Sequence, residues 1–287
     1  MFHVEHMTKK ENPLKAKDHL VSKETFEIKW SEKCNYAETS LPKDILLSRY
    51  YETDNYNSHK TETKSFLDLL YKTVQKSMLY YKAGFIRPRI KGNVLDVGGG
   101  VGVFAAYLAH KKFEITVVEP NKKGLEACTK KGLNTYLSVA DLPTNKRYSA
   151  TTMWHVLEHL MAPEKTLQEL RALMETDALL IIAVPNFNSH DARYYGSEWA
   201  ALDVPRHLWH FTHKGLIDLV EPLGFVVIAQ KPLWFDVFYI SYLSEKNRRK
   251  KLPFLRGLLV GTICTFRALI DGEHSSNIYV FKKKTIH

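Results

Sequence analysis

The clearest pattern in this chain is an alternation of short apolar runs with amphipathic stretches between residues 93 and 184. Short apolar runs are typical of strands, and apolar residues that recur every three or four positions are typical of helices. The pattern predicts strands at 93–97, 114–119, 134–138, 149–154 and 178–184, and helices at 102–110, 122–131 and from Pro163 to about 175. Such alternation predicts an α/β fold with a parallel, doubly wound sheet.

The rest of the chain adds two strands and two further segments. Thr212 is expected to cap a helix that Gly224 ends, and strands follow at 225–230 and 278–281. Residues 232–274, between these strands, predict a helical insertion. Residues 1–60 are polar and aromatic and are expected to form an irregular N-terminal extension, a lid or a substrate-docking segment. A helix is predicted from Thr61 to Lys82, so that residues 61–287 form the main domain.

Four glycines directly follow the first predicted strand of this domain, at positions 98, 99, 100 and 102. Glycine permits positive φ and lets a ligand approach the backbone closely, and the helix that follows offers unpaired N–H groups to an anion. A dinucleotide site of the form G-x-G-x-x-G would need glycine at position 103, where Val103 stands. The spacing found is D-x-G-x-G-x-G from Asp96 to Gly102. A glycine-rich turn without a ligand is the alternative.

This loop and the strand after it resemble a known enzyme family. D-V-G-G-G-V-G at 96–102, followed by V-V-E-P at 117–120, resembles motif I and the acidic second strand of the class I S-adenosylmethionine-dependent methyltransferases. The resemblance implies a seven-stranded Rossmann-like sheet with a reversed last strand. It also implies S-adenosylmethionine as the cofactor.

On this resemblance we assign a predicted role to each residue of the donor site. The glycines would pass behind the methionine portion and Asp96 would orient its amino end, while Glu119 would accept both ribose hydroxyls. Asp141, after the third strand, would hold the adenine amino group; its alternative is an ordinary loop residue. The predicted cofactor-binding residues are Asp96, Gly98, Gly100, Gly102, Glu119, Asp141 and His155.

A second group of ionisable residues follows the fourth predicted strand, in His155-Val156-Leu157-Glu158-His159. The bare pattern H-x-x-E-H is a zinc motif when it lies on a continuous helix. Here it straddles a strand end and a loop, so we reject a zinc site and predict no metal. Two interpretations stay open. Glu158 and His159 face the transferred methyl group in acid–base roles, or the segment is structural.

The segment after the fifth strand, residues 185–212, is long for a connection without a task. Its Trp, Tyr, His and Arg content suits a lid that excludes water and grips a substrate, and a packed Ω-loop is the alternative. With W-H-V-L-E-H, V-P-N-F and D-x-P-R-H-L-x-H-F-T, residues 90–231 resemble a bacterial branch near the ubiquinone-biosynthesis O-methyltransferases. Residues 50–59 also resemble a segment of that branch.

These residues yield a hypothesis for catalysis. In-line methyl transfer needs an aligned and deprotonated acceptor. Histidine can accept a proton near neutral pH. His159 or His207 is therefore the predicted base, with Glu158 or Arg206 as its orienting partner, and His155 completes the predicted catalytic set. The segment after the fourth strand lacks the motif of many enzymes that methylate planar amino groups. We therefore favour an oxygen acceptor on a small apolar molecule.

Composition leaves three hypotheses for partners. The net charge is +10, with basic clusters at 246–251 and 282–284. Such charge suits an anionic membrane surface or nucleic acid, but no known nucleic-acid-binding module accompanies it. The alternatives to a small-molecule enzyme are an RNA methyltransferase and a non-catalytic cofactor-binding protein.

The insertion 232–274 and the termini bear on localisation. Basic residues beside apolar ones make 232–274 a candidate for peripheral membrane contact, while packed helices are the other interpretation. Arg256 and Arg267 are expected to interrupt 252–270 too much for a membrane span. The three cysteines are widely spaced, and the first residues lack a secretory pattern. We therefore expect a cytoplasmic protein.

Overall fold

The predicted alternation of strands and helices is present in the computed structural model, which describes residues 13–31, 34–51, 66–86 and 92–284. The strands are β1 Leu14–Lys17, β2 Thr25–Trp30, β3 Tyr36–Ser40, β4 Val94–Val97, β5 Ile115–Val118, β6 Asn134–Tyr136, β7 Tyr148–Trp154, β8 Met174–Pro185, β9 Trp209–Phe211, β10 Phe225–Pro232 and β11 Ser276–Lys283. The helices are α1 Phe66–Gly84, α2 Val103–His110, α3 Lys122–Lys130, α4 Pro163–Leu173, α5 His190–Tyr195, α6 His213–Val220, α7 Asp236–Asn247 and α8 Pro253–Asp271. Residues 61–65 of the predicted first helix and 52–59 of the family-like segment lie outside the described residues.

A seven-stranded sheet confirms the predicted fold class. Its strand order is β10-β11-β8-β7-β4-β5-β6, and β4 pairs in parallel with both β5 and β7. The last strand is reversed, as the family resemblance implied. Because the neighbouring strands β6, β5, β4 and β7 are parallel, the segments that follow them share one edge of the sheet, where ligands bind in such folds.

Local sequence signals explain where several helices begin and end. The Asn121 side chain accepts hydrogen bonds from two backbone amides in the first turn of α3, and Pro163 occupies the first turn of α4. Thr212 caps α6 as predicted, because its hydroxyl accepts a hydrogen bond from the Gly215 amide at 3.1 Å. A short 3₁₀ turn follows α6, and Gly224 ends this helical segment with φ of 88°.

The chain folds into two units, each built from separate segments. The central unit comprises residues 61–183, 220–230 and 279–287 and contains most of the seven-stranded sheet. The composite unit comprises residues 1–60, 184–219 and 231–278. These units differ from the predicted division of the chain at residue 60. The structure joins the N-terminal segment to two later segments because all three contribute to one core.

The composite unit has its own antiparallel sheet, in the order β1-β2-β3-β9. The expectation that residues 1–60 are irregular is therefore wrong, since β1, β2 and β3 lie within residues 14–40. Phe26 and Ile28 alternate with more exposed residues along β2 and pack into the core. Trp30 stacks on Phe187 with the ring centroids 6.0 Å apart. The N-terminal strands thus form their core with residues that lie more than a hundred positions later.

The long segment after β8 belongs to this core. It forms α5, short 3₁₀ turns and β9, and it is mostly buried. β9 pairs with β3 through Tyr36 and Phe211, and Trp199 donates a hydrogen bond from its indole nitrogen to Asp191 at 2.7 Å. This packing agrees with the alternative of a packed loop.

The insertion 232–274 forms the predicted pair of helices, α7 and α8. Two glycines let them approach closely: an added Cβ at Gly257 would lie 2.7 Å from the backbone of Tyr242, and one at Gly261 would lie 2.8 Å from the Phe238 ring. Among the described residues, α8 alone is long and apolar enough to cross a membrane by length and composition, although only 22% of its apolar window is buried. By composition alone, Arg256 and Arg267 do not exclude a membrane span, contrary to the expectation.

A buried ion pair connects distant segments of the composite unit. Arg206 is 1% exposed, and it donates hydrogen bonds to Asp18 at 3.1 Å, to Asp203 at 2.6 Å and to the carbonyl of Tyr50 at 3.3 Å. Burial would raise the pKa of Asp18, but the backbone amides of Ser22 and Leu20, together with Arg206, hold it below its ordinary value. Both charges are therefore present in the folded protein and depend on each other.

We predict that Arg206→Ala destabilises the composite unit by about 3–5 kcal/mol, because it leaves the carboxylate of Asp18 buried without its cation. The measurement is denaturant unfolding followed by tryptophan fluorescence, since four of the five tryptophans lie in this unit. Lys214→Ala, which removes an exposed ion pair with Asp218, is the control and should cost much less. Equal effects of the two variants would contradict a structural role for Arg206.

Candidate functional site

The glycine loop follows β4 and turns the chain sharply into α2. Gly98, Gly100 and Gly102 have φ of 67°, 55° and 75°, a region that disfavours side chains. The Gly98 amide donates a hydrogen bond to the carbonyl of Val118 at 2.7 Å, which fixes the loop to the end of β5. Gly102 is the N-cap residue of α2. The predicted reason for these glycines, positive φ, is present at all three.

The three glycines differ in what surrounds them. An added Cβ at Gly98 would lie 2.4 Å from Val156, and one at Gly102 would lie 2.7 Å from the Cys128 sulfur. Tight packing therefore excludes a side chain at both positions. At Gly100 nothing lies within 4 Å of an added Cβ. Gly100 is thus the place in the loop where the backbone borders open space that a ligand can fill.

Glu119 lies beside this loop, at the end of β5. Its side chain is buried, and its two oxygens accept hydrogen bonds from the amides of Gly100 at 2.7 Å and Asn121 at 2.8 Å. An added Cβ at Gly124 would lie 2.9 Å from the Glu119 side chain, so Gly124 makes room for the carboxylate. The sequence identified Glu119 but missed Gly124 and Asn121. The N-cap pattern at Asn121 was the available signal.

Asp96 is buried within the sheet, one residue before the end of β4. Its carboxylate accepts a hydrogen bond from the Thr152 hydroxyl at 2.6 Å. Burial raises the pKa of Asp96 to about 6, although the Thr152 hydrogen bond lowers it. Thr152 stands opposite Asp96 in the register of β4 and β7. Sequence reasoning missed Thr152, because the sequences of two parallel strands do not reveal which of their residues pair.

Asp141 follows β6, as predicted, in a short 3₁₀ turn. It is exposed, and one of its oxygens accepts hydrogen bonds from the Ser138 amide at 3.0 Å and the Ser138 hydroxyl at 2.8 Å. The carboxylate therefore stabilises its own loop. Its predicted role toward adenine stays a prediction.

The segment from His155 to His159 follows β7 and is not a continuous helix. Only Leu157–His159 forms a 3₁₀ turn, so His155 and His159 do not lie on one face of a continuous helix. His155 has φ of 56°, a conformation that costs energy in a non-glycine residue. Its Nδ1 lies 3.3 Å from Oε1 of Glu158, which is 1% exposed. His159 is half-buried at the end of the turn.

Two further predicted site residues, Arg206 and His207, lie in the composite unit. The hydrogen bonds of Arg206 are those of the buried ion pair described above. His207 is buried, with its Nδ1 2.8 Å from the carbonyl of Ala201 and its Nε2 3.9 Å from Asp203. Asp203 therefore adjoins both residues. Sequence reasoning missed it, although it opens the D-x-P-R-H motif.

The central unit thus brings together most of the predicted site at one sheet edge. The segments that follow β4, β5, β6 and β7 carry the glycine loop, Glu119, Asp141 and the His155–His159 turn, respectively. Glu119 and Asp96 supply buried carboxylates, and Gly100 supplies an exposed backbone. Such an edge suits a ligand with hydroxyl and cationic groups.

Comparison with known proteins identifies the family. The family model described as methyltransferase domain matches residues 72–230, more than half of the chain. An uncharacterised protein of Mycobacterium tuberculosis is 22% identical over 63% of this chain, and the match spans 64% of that relative's length. The ubiquinone biosynthesis O-methyltransferase of Rickettsia typhi is 24% identical over 54% of this chain and 74% of its own.

A solved structure supports the fold. The 1,6-didemethyltoxoflavin-N1-methyltransferase of Burkholderia thailandensis, solved with 1,6-didemethyltoxoflavin and S-adenosylhomocysteine, matches with a TM-score of 0.51 at 13% identity, over 87% of this chain and 96% of that one. S-adenosylhomocysteine is the product that S-adenosylmethionine leaves after methyl transfer. The prediction of S-adenosylmethionine as cofactor is confirmed at the level of the family. The chain belongs to the methyltransferase-domain family, within the class I S-adenosylmethionine-dependent methyltransferases.

Proposed function

We propose that the protein transfers a methyl group from S-adenosylmethionine to an oxygen atom of a small, apolar molecule, with His159 as the general base. The observation that carries the donor half is the open backbone of Gly100, whose amide is held by the Glu119 carboxylate at 2.7 Å. A Cβ at this position would project into that open space, where the cofactor is proposed to lie. The residues present therefore fit the cofactor that the family uses.

Each donor contact is proposed for a residue whose chemistry suits it. Asp96 and the glycine loop would hold the amino-acid end, because a buried carboxylate with a raised pKa gains from a neighbouring ammonium group. Glu119 would accept hydrogen bonds from the two ribose hydroxyls, since a carboxylate has acceptor capacity beyond its two backbone amides. Asp141 would accept from the adenine amino group.

The acceptor half of the proposal rests on the turn after β7. When bound, S-adenosylmethionine supplies an electrophilic methyl group on a sulfonium, whose sulfur leaves with the electron pair of the broken bond. His159 would remove the proton of the acceptor hydroxyl as the new carbon–oxygen bond forms. The buried carboxylate of Glu158 would stabilise the protonated imidazole. His155, 3.3 Å from Glu158, would position that carboxylate.

The small-molecule acceptor rests on similarity and on sequence. The similar proteins include ubiquinone biosynthesis O-methyltransferases. The turn after β7 reads Trp154-His155-Val156-Leu157, which is not the motif of many enzymes that methylate planar amino groups. His207 stays a second candidate base, and Arg206 a candidate positioning residue. An RNA acceptor and binding without catalysis are outcomes that the experiments below distinguish.

We predict that Gly100→Ala lowers the affinity for S-adenosylmethionine by about 10–100-fold, because the added methyl group occupies space proposed for the cofactor. Gly132→Ala is the matched control. Gly132 also has positive φ, 72°, and nothing within 4 Å of an added Cβ. Both variants should lose similar stability, on the order of 1 kcal/mol. Isothermal titration calorimetry measures the affinities, and equal affinity in the two variants would contradict the proposed donor site.

Asp96→Asn is predicted to remove a pH-dependent component of stability. The pKa of Asp96 in the folded protein, about 6, exceeds its ordinary value of 3.8, so the folded state favours the protonated form. The contribution of protonated Asp96 to folding stability is therefore fully present below about pH 4 and is lost as the pH rises through about 6. Two pKa units correspond to about 3 kcal/mol. The variant should therefore gain stability relative to wild type over this window.

The measurement is denaturant unfolding of both proteins, without cofactor, at several pH values between about 4 and 7, followed by circular dichroism. Comparing the two proteins cancels the contributions of other titrating groups. A constant difference across the window would show that Asp96 does not ionise there.

The function itself is tested with methyl-labelled S-adenosylmethionine and a fractionated extract of the native host. Wild-type protein should label the small-molecule or lipid fraction. His159→Ala should lower that rate by about 10²–10⁴-fold with unchanged cofactor affinity, as expected for loss of a general base.

His207→Ala is assayed in parallel. A loss confined to that variant would transfer the assignment of the base to His207. Label in the RNA fraction would overturn the small-molecule acceptor. Cofactor binding with no labelled fraction at all would favour a non-catalytic protein.

A further inference from the structure

The second helix of the insertion, α8, carries an apolar face that stays exposed in the described part of the chain. The buried stripe of α8 consists of Gly257, Val260, Gly261, Cys264 and Ala268, and it packs toward α7 and the core of the composite unit. The opposite stripe is also apolar but exposed, and it comprises Leu255, Leu258, Leu259, Phe266, Leu269 and Ile270. Their side chains are 48–89% exposed. Contiguous exposed apolar surfaces of this kind mark contacts with proteins or membranes.

Basic residues lie at the N-terminal end of the same helix. The turn from α7 into α8 contains five basic residues in the six positions 246–251. Arg248 is tied to the carbonyls of Tyr194 and Tyr195, whereas Lys246, Arg249, Lys250 and Lys251 are exposed. No acidic residue occurs within this run. Its charge therefore complements an anionic surface.

Aromatic residues connect the charged turn to the apolar face. The Lys246 ammonium lies 5.6 Å from the centre of the Tyr242 ring, and that ring contacts Phe254 edge to face, with centroids 6.5 Å apart. Trp234, Phe235 and Tyr239, in and before α7, are also exposed. Tryptophan and tyrosine are enriched at the boundary between lipid and water.

We propose that the α7–α8 hairpin docks the protein on the surface of a membrane that contains anionic phospholipids. The exposed stripe of α8 lies in the plane of the membrane, among the upper acyl chains. The basic turn contacts the phosphate groups. This inference is independent of the proposed function, because docking needs no methyl transfer.

An arrangement in the plane fits α8 better than a span. A spanning helix of this hairpin would place its full circumference in lipid or against other spanning helices. Instead, α8 is held along one side by close packing of Gly257 and Gly261 on α7. Arg256 lies on its flank and donates a hydrogen bond to Glu245 at 2.7 Å. One buried side and one apolar side are what a protein-mounted interfacial helix requires.

The test is co-sedimentation of the full chain with vesicles of phosphatidylcholine, with and without phosphatidylglycerol. We expect strong binding only when phosphatidylglycerol is present, and weakening by added salt. Replacing three exposed basic residues, in Arg249→Ala/Lys250→Ala/Lys251→Ala, should lower the partition coefficient by about 100-fold, at about fivefold per residue.

Leu259→Glu/Phe266→Glu is the second variant and should lower binding by at least about tenfold, because it places two carboxylates in the proposed lipid contact. The control is Leu46→Glu/Met161→Glu, which makes the same charge change at exposed apolar residues outside the hairpin and should lower binding much less. Thermal unfolding of each variant checks that the fold is intact.

Three results would overturn the proposal. Wild-type protein that stays in the supernatant with both vesicle types excludes membrane docking. Binding that resists extraction with alkaline carbonate indicates a spanning helix rather than an in-plane one. Self-association in analytical ultracentrifugation that Leu259→Glu/Phe266→Glu abolishes, without vesicle binding by wild type, assigns the face to a second copy of the chain.

Discussion

The hydrogen bond from the Gly100 amide to the Glu119 carboxylate is the contact on which the candidate donor site depends. It joins the loop after β4 to the end of β5 at 2.7 Å, and it fixes the one glycine of the loop whose Cβ position is open. A second hydrogen bond, from the Gly98 amide to the carbonyl of Val118, also holds the loop. Because both acceptors lie at the end of the buried strand β5, the position of the loop is set by the sheet.

The same loop is coupled to the turn that carries the proposed base. Val156 occupies the space that a side chain at Gly98 would need. Its neighbour His155 takes a positive φ of 56° and has Nδ1 3.3 Å from Glu158. A shift of either turn would therefore disturb the other. The proposed donor loop and the turn that carries the proposed base are therefore coupled through one packing contact.

The central unit could be predicted in detail because its information is local. The first two apolar runs, the glycine spacing and the acidic residue after β5 lie within about thirty residues of each other, and their combination is far more specific than any one of them. The composite unit could not be predicted in the same way. Alternation along β2, with Phe26 and Ile28 facing inward, was visible in the sequence, but its partners in the core come from distant segments.

Arg206 shows why such distant pairing limits prediction. An arginine directly before a histidine in a long loop suggests an orienting partner for a catalytic base, whereas its partner Asp18 in the structure lies 188 residues earlier. Nothing in the local sequence distinguishes an arginine that will be 1% exposed from one that reaches solvent. The helix α8 shows the same limit for apolar residues. Its apolar composition suggested burial or a membrane, and only the packing of Gly257 and Gly261 reveals which side is buried. In the part of the chain that the structure describes, the leucines and the phenylalanine on the other side of α8 stay exposed, and the proposed membrane contact accounts for this exposure.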